Sequence, residues 1–403
     1  MRLGRTQGVE DGWNCGDAGF GLRAEDVGMT RGPLVVLAPD KFKGSLSAPE
    51  VAEALGRGIA RRAPGAQVRC VPVADGGDGM VDAFVASGWK RVELAAPGPT
   101  GEASTAVYAV RGDVAVVELA AAVGLVKLPG GRLDPLRADT FGLGVAIAHA
   151  LDAGAREIVL GLGGSASTDG GSGLLRALGL RLLDREGREL AGVADVAAML
   201  TQVASVDRAG LHPAVSTALF TLACDVDNPL LGPAGAVAVY SPQKGANARQ
   251  MVKLEAGLTN WAAVLGTGYA EIGGAGAAGG TGFGALAVLG AQVRSGIDVL
   301  LELLEFTDLV DGATLVVTGE GSLDHQSMHG KAPVGVAAAA KKAGVPVVAA
   351  VGRTLLSPGE IRAAGFAACY PLSDLEPDPA RSIMAAARLL ERIGERIAME
   401  HLK

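Results

Sequence analysis

Residues 34–38 (LVVLA) form an uninterrupted aliphatic run that stops at a polar loop, and the chain repeats this arrangement several times. An apolar run without polar alternation belongs to a strand covered on both faces, as in a parallel sheet flanked by helices. The loop 39–45 is followed by Ser47-Ala48-Pro49-Glu50, a capping box with a proline tolerated in the first turn. Val51, Ala54, Leu55 and Ile59 then recur at helical spacing, and residues 67–73 read as the next strand. Strand, loop, helix, strand is a βαβ unit, whose ligand loops lie at the carboxyl ends of its strands.

The same alternation returns near the other end, with strands predicted over 314–318, 346–351 and 366–370 and a helix over 333–343. From residue 378 onward, Ile383, Ala386, Leu389, Leu390 and Ile393 predict an amphipathic helix. Residues from about 90 to 295 differ in texture: alternating strands over 91–117, a glycine-rich loop over 161–173, an apolar strand-like run over 236–240, and helices around 249–265. The expected fold class is therefore α/β: a Rossmann-like parallel-sheet domain from 33–90 and 295–403, with a second α/β domain, 91–294, inserted into it. Residues 1–32 show neither period nor apolar core, which predicts a disordered extension, and Met29 is a candidate native start.

Composition narrows the classes. With 403 residues, 49% hydrophobic, the chain can build two cores, and 60 glycines with only 4% aromatics suit close-packed α/β layers. The net charge of -7 is dispersed, with no basic cluster among aromatics, so nucleic acid is not an expected partner. The uncharged stretch 273–293 is rich in glycine and poor in large aliphatics, so no membrane partner is expected. The four cysteines (Cys15, Cys70, Cys224, Cys369) never pair as C-x-x-C, which points to free thiols and a cytoplasmic setting.

Several loops beyond strands could carry chemistry. Residues 161–171 (GLGGSASTDGG) follow a strand predicted over 156–160 and precede a helical segment, the context of a phosphate cradle in which Gly163, Gly164 and Ser165 present backbone donors, the next helix start adds positive charge, and Asp169 holds a metal. A tight turn between packed elements is the plain alternative. Gly161, Gly163 and Ala166 also fit G-x-G-x-x-A, with Asp184 as the acid some distance on, so a dinucleotide site and an NAD-dependent oxidoreductase remain open. The second glycine-rich segment, with Gly279 and Gly280, suits either a backbone anion contact or close helix packing.

The loops DKFKGS (40–45) and ADGGDG (74–79) bring Asp40, Lys43, Ser45, Asp75, Gly76 and Gly77 to strand ends. Cations and carboxylates converging on a cleft are what phosphoryl transfer needs: charge neutralisation by lysine and Mg²⁺, and a carboxylate to take the acceptor proton. Asp225, Asn228 and Lys244 lie beyond apolar runs, and 319–331 is the densest polar segment, carrying Glu320, Asp324 and Lys331. His325 and His329 have zincin spacing, but Gln326 stands where the glutamate belongs and Gly330 breaks the helix. P-loop, protein-kinase and nucleophile-elbow signatures are absent from the sequence.

Seven ordered segments, APDKFKGSLSA, PVADGGDG, GLGGSASTDGG, ACDVDNPLLGPAGA, PQKGA, GAGAAGGTGFG and TGEGSLDHQSMHGKAPVGVA, together resemble the bacterial glycerate kinases, the type with neither P-loop nor protein-kinase fold. The resemblance runs from about Pro33 to the end. It implies transfer of the ATP γ-phosphoryl group to D-glycerate, the 2-hydroxyl in preference to the 3-hydroxyl, with Mg²⁺ and an active site in the cleft between the two domains. On that basis Asp40, Lys43, Asp75, Asp225, Asp324 and Lys331 are expected in catalysis, with Asp75 and Asp225 as metal ligands. Ser45, Gly76, Gly77, Gly163, Gly164, Ser165, Asp169, Asn228, Lys244, Gly279, Gly280 and Glu320 are expected to contact substrate or nucleotide. Ser322, Thr168 and His325 depart from the family's usual pattern at their positions, arginine being common at the first and asparagine frequent at the second. A nucleotide-binding regulator without catalysis is the expectation outside enzymes.

Overall fold

The computed structural model describes residues 32–74, 76–190 and 195–402. The extension expected over 1–32 therefore lies, but for Gly32, outside the described residues, and so does Asp75. The described strands are, in chain order, β1 (Leu34–Pro39), β2 (Gln67–Cys70), β3 (Lys90–Pro97), β4 (Ala103–Arg111), β5 (Val114–Glu118), β6 (Glu157–Gly161), β7 (Arg181–Leu183), β8 (Ser205–Asp207), β9 (Leu219–Ala223), β10 (Gln292–Arg294), β11 (Leu315–Gly319), β12 (Ser322–Leu323), β13 (Val347–Val351), β14 (Arg353–Thr354) and β15 (Ala368–Pro371).

The chain divides into two compact units, the first comprising residues up to Pro72, Leu309–Asp324 and Ala340–Lys403. Its five-stranded sheet, β15-β13-β11-β1-β2, is parallel throughout. β11 and β13 are buried at every position, which is why their sequences are unbroken aliphatic runs. The capping box forms as its spacing predicts: Ser47 caps Ala48–Arg62, and its backbone N–H donates to Glu50 Oε2 at 2.8 Å. Val51, Leu55 and Ile59 of that helix share a core with Leu389, Leu390, Ile393 and Ile397 of Ala386–His401. Glycine sets their spacing, since a Cβ on Gly58 would lie 2.0 Å from the Glu391 carbonyl oxygen and one on Gly394 would lie 2.3 Å from that of Leu55. The expected C-terminal helix is broken after Pro379–Met384, and Ile383 is 52% exposed instead of joining the apolar face.

The second unit comprises Val73–Asp308 and His325–Ala339, so residues 73–90, 295–308 and 325–339 pack with it rather than with the first sheet. Its six-stranded sheet, β10-β9-β6-β5-β4-β3, is parallel from β10 through β5 and antiparallel at β4 and β3. Leu143 and Ile147 of Phe141–Asp152, Leu200 of Val196–Gln202, and Leu258 and Trp261 of Ala248–Leu265 belong to its core. The apolar run 236–240, read as a strand, is instead the short helix Ala236–Tyr240, a distinction that five apolar residues without a visible period do not make. No helix among the described residues is long and apolar enough to cross a membrane.

Candidate active site

In the first unit, the chain runs from β1 outward to β2 on one side and from β11 through β13 to β15 on the other. The point where the order reverses lies between β1 and β11, and ligands of open parallel sheets gather beyond the carboxyl ends of the strands at such a point. Asp40 follows β1 and Glu320 follows β11 there, each only 9% exposed, and the Asp40 backbone N–H donates to the Gly319 carbonyl at 2.8 Å. The next residues form a tight loop in which Phe42 N–H donates to the Leu46 carbonyl at 2.8 Å, Gly44 takes φ 78°, and buried Phe42 anchors the turn. Lys43 is thereby presented to solvent. Ser45 Oγ donates to the Ile383 carbonyl at 3.1 Å, which commits the proton a substrate contact would use. Asp324 is half-buried just beyond β12, where Ser322 Oγ accepts from Arg353 Nε at 3.2 Å.

In the second unit, the two glycine loops meet. A Cβ on Gly163 would lie 2.3 Å from Gly77 Cα, so the loop after β6 and the loop 76–79 pass backbone against backbone. Gly76, at φ 83°, lies over the end of β9, where a Cβ would be 2.8 Å from the Ala223 carbonyl oxygen. Gly77 and Gly163 are half-buried and Gly164 is exposed, which leaves backbone accessible at the crossing. Glu118, at the end of β5, secures the arrangement by accepting from Gly79 N–H at 3.0 Å and Val81 N–H at 3.1 Å. The sequence reading missed Glu118; its one signal is a carboxylate closing the aliphatic strand VAVVE.

Asp169, expected to contact a metal or a phosphate, directs its carboxylate into the protein instead. It is fully buried, and its carboxylate accepts from Thr140 N–H at 2.9 Å, Thr140 Oγ at 2.6 Å, Gly171 N–H at 3.2 Å and Gly173 N–H at 3.0 Å. It thus braces the loop from beneath and occupies the donors at the start of Ser172–Ala177 that were expected to face an anion. Thr140, also missed, continues the brace by accepting from Leu174 N–H at 2.8 Å. Asp139 beside it has its pKa pushed up to about 6, first by burial and then by the charge of Asp169.

Gly279 and Gly280, expected to contact substrate or nucleotide, are buried behind the loop and packed against backbone, where Cβ atoms would fall 2.1 Å from the Ser167 carbonyl oxygen and 2.9 Å from Gly170 Cα. Asn228 is half-buried, its side chain accepting from the Tyr240 hydroxyl at 2.5 Å and donating to the Ala234 carbonyl at 2.8 Å. Lys244, expected to contact substrate or nucleotide, is buried. It closes the short turn Pro242–Lys244, is 2% exposed, and donates to Ser165 Oγ at 2.7 Å and to the Ser167 carbonyl. Burial lowers its pKa to about 7, with the charge of Asp169 opposing the shift.

Asp225 is exposed beyond β9, its Oδ1 accepting from Gly296 N–H at 3.0 Å, and Lys331 is half-buried immediately before Ala332–Lys342. Among the described residues no cluster of three or more His, Cys, Asp or Glu could hold a metal ion by itself. Asp184, the acid a dinucleotide site would need, is used within its own turn, accepting from Glu186 N–H at 3.0 Å, Arg188 N–H at 2.9 Å and Arg188 Nε at 2.9 Å. That leaves the dinucleotide reading without its ribose contact.

Comparison with known proteins gives one answer. The sequence profile of the Glycerate kinase family matches residues 35–402. A protein of Bacillus subtilis (strain 168) named glycerate kinase is 42% identical over 371 residues, covering 90% of this chain and 96% of the relative. One of Escherichia coli (strain K12) named glycerate 2-kinase is 40% identical over 343 residues, covering 83% and 89%. Among solved structures, a chain from Salmonella typhimurium LT2 described as a glycerate kinase 2 superposes with a TM-score of 0.78 at 37% identity, covering 92% of this chain and 98% of its own.

Proposed function

The chain belongs to the glycerate kinase family, a family of phosphotransferases, and we propose from that premise that it transfers the γ-phosphoryl group of Mg·ATP to D-glycerate, at the 2-hydroxyl. The observation that carries the nucleotide part is the crossing of Gly77 and Gly163, where two loops approach closely at residues that lack side chains, beyond parallel strands. Backbone N–H groups there suit phosphate oxygens, which need several donors and no intervening Cβ. The preference for the 2-hydroxyl draws its support from the relative named glycerate 2-kinase.

The exposed carboxylate of Asp225 suits Mg²⁺, which takes one or two protein carboxylates and completes its shell with phosphate oxygens and water, and the family resemblance alone assigns Asp75 as the second. When bound, the cation neutralises charge on the phosphate oxygens. Lys43 and Lys331 neutralise phosphate or glycerate carboxylate charge. Asp324 or Asp40 accepts the proton of the glycerate hydroxyl as it attacks, and Glu320 orients the substrate hydroxyls by accepting from them. Among the described residues no disulfide joins Cys70, Cys224 or Cys369, which supports a cytoplasmic setting. Separation of the two phosphoglycerate isomers after turnover tests the assignment. The 2-phosphate supports it, and the 3-phosphate refutes the regiochemistry.

A further inference from the structure

We propose that Lys244 is a positioning residue that aims the Ser165 hydroxyl at a phosphate group seated on residues 163–165. This rests on the phosphate reading of that loop given above. When protonated, Lys244 has only protons to offer, and it gives them to Ser165 Oγ at 2.7 Å and to the Ser167 carbonyl. A serine oxygen that accepts from an ammonium must send its own proton elsewhere, and among the described residues no acceptor takes it. Ser165 is 7% exposed and adjoins the exposed Gly164, so the remaining direction is outward, where an anion would lie.

The surroundings fix this geometry. Leu125 N–H donates to the Gly164 carbonyl at 2.9 Å, which pins the loop from one side. Thr168 and Ser241 hydroxyls meet at 3.3 Å and Lys244 N–H donates to the Ser241 carbonyl at 3.1 Å, so the turn bearing the lysine is fastened to the loop it supports. The charge of Lys244 strengthens Ser165 as a donor, because hydrogen bonds in a chain polarise one another.

The test compares Ser165→Ala, Lys244→Met and the double variant with wild type, measuring KM for ATP, KM for D-glycerate, kcat and Tm. Each single change is expected to raise the ATP KM about tenfold or more, the loss of one hydrogen bond to a charged group, while the glycerate KM stays within about twofold. The double variant is expected to show no further rise, because the lysine acts through the serine. Ser165→Ala keeps the test decisive if Lys244→Met does not fold: a wild-type ATP KM in Ser165→Ala overturns the proposal. Full additivity in the double variant overturns it too. Gly163→Ala separates the two levels. If that change impairs ATP binding while Ser165→Ala does not, the positioning role alone fails; if neither does, the phosphate reading of the loop fails with it.

Discussion

Gly163 passes Gly77 so closely that the smallest side chain on the former would sit 2.3 Å from the latter's Cα. Backbone lies on both sides of this contact, so no rotamer change relieves a clash. Gly163→Ala is expected to separate the loops and raise the ATP KM by an order of magnitude or more, a loss of about 1.4 kcal/mol or greater, with a smaller effect on the glycerate KM. Unchanged nucleotide kinetics in a folded variant would contradict the loop's role.

Asp169 gathers four hydrogen bonds from Thr140, Gly171 and Gly173 in a fully buried site. Asp169→Asn turns one acceptor into a donor among donors and removes the negative charge that faces Lys244. The expected cost is about 2–4 kcal/mol, read as a lower midpoint in urea. A midpoint equal to wild type would show that the carboxylate does not brace the loop.

Asp139 titrates near 6 in the folded protein against an ordinary 3.8. A raised folded pKa means that the folded carboxyl holds its proton more tightly than the unfolded one. The stability this gives is fully present below about 3.8 and is lost as pH rises through about 6. Asp139→Asn, which keeps an acceptor for Phe141 N–H, is therefore expected to stabilise the protein at pH 7.5 by about 1–3 kcal/mol and to lose that advantage toward pH 4.5. A variant less stable than wild type at pH 7.5 would mean that the Arg176 contact at 4.0 Å outweighs burial.

Lys43 stands exposed at the tip of a loop anchored by Phe42, so truncating it removes charge without disturbing the core. Lys43→Ala is expected to lower kcat by two or more orders of magnitude while Tm stays within about 1 °C of wild type. Near-normal turnover would refute its role in neutralising charge.

The sequence made the local devices legible, because their partners lie a few residues apart. Ser47 and Glu50 announce their helix, and the aliphatic runs at β1, β11 and β13 announce a sheet covered on both faces. What it concealed depends on distant partners. Asp169 reads as a ligand to metal until Thr140, 29 positions away, takes its oxygens. Lys244 reads as a direct contact to substrate or nucleotide until Ser165, 79 positions away, is found beside it. Gly279 and Gly280 look no different in sequence from Gly163 and Gly164, yet the first pair is buried behind the loop and the second lies at its accessible crossing. Composition cannot separate a glycine that admits a ligand from one that admits a neighbouring backbone.

Release of ADP by the purified protein with Mg·ATP and D-glycerate, with L-glycerate, glyoxylate and no acceptor as controls, is the first measurement to make. Release is expected to require D-glycerate and to yield a phosphoglycerate. A folded protein that binds ATP and releases no ADP on addition of D-glycerate would contradict the proposed activity.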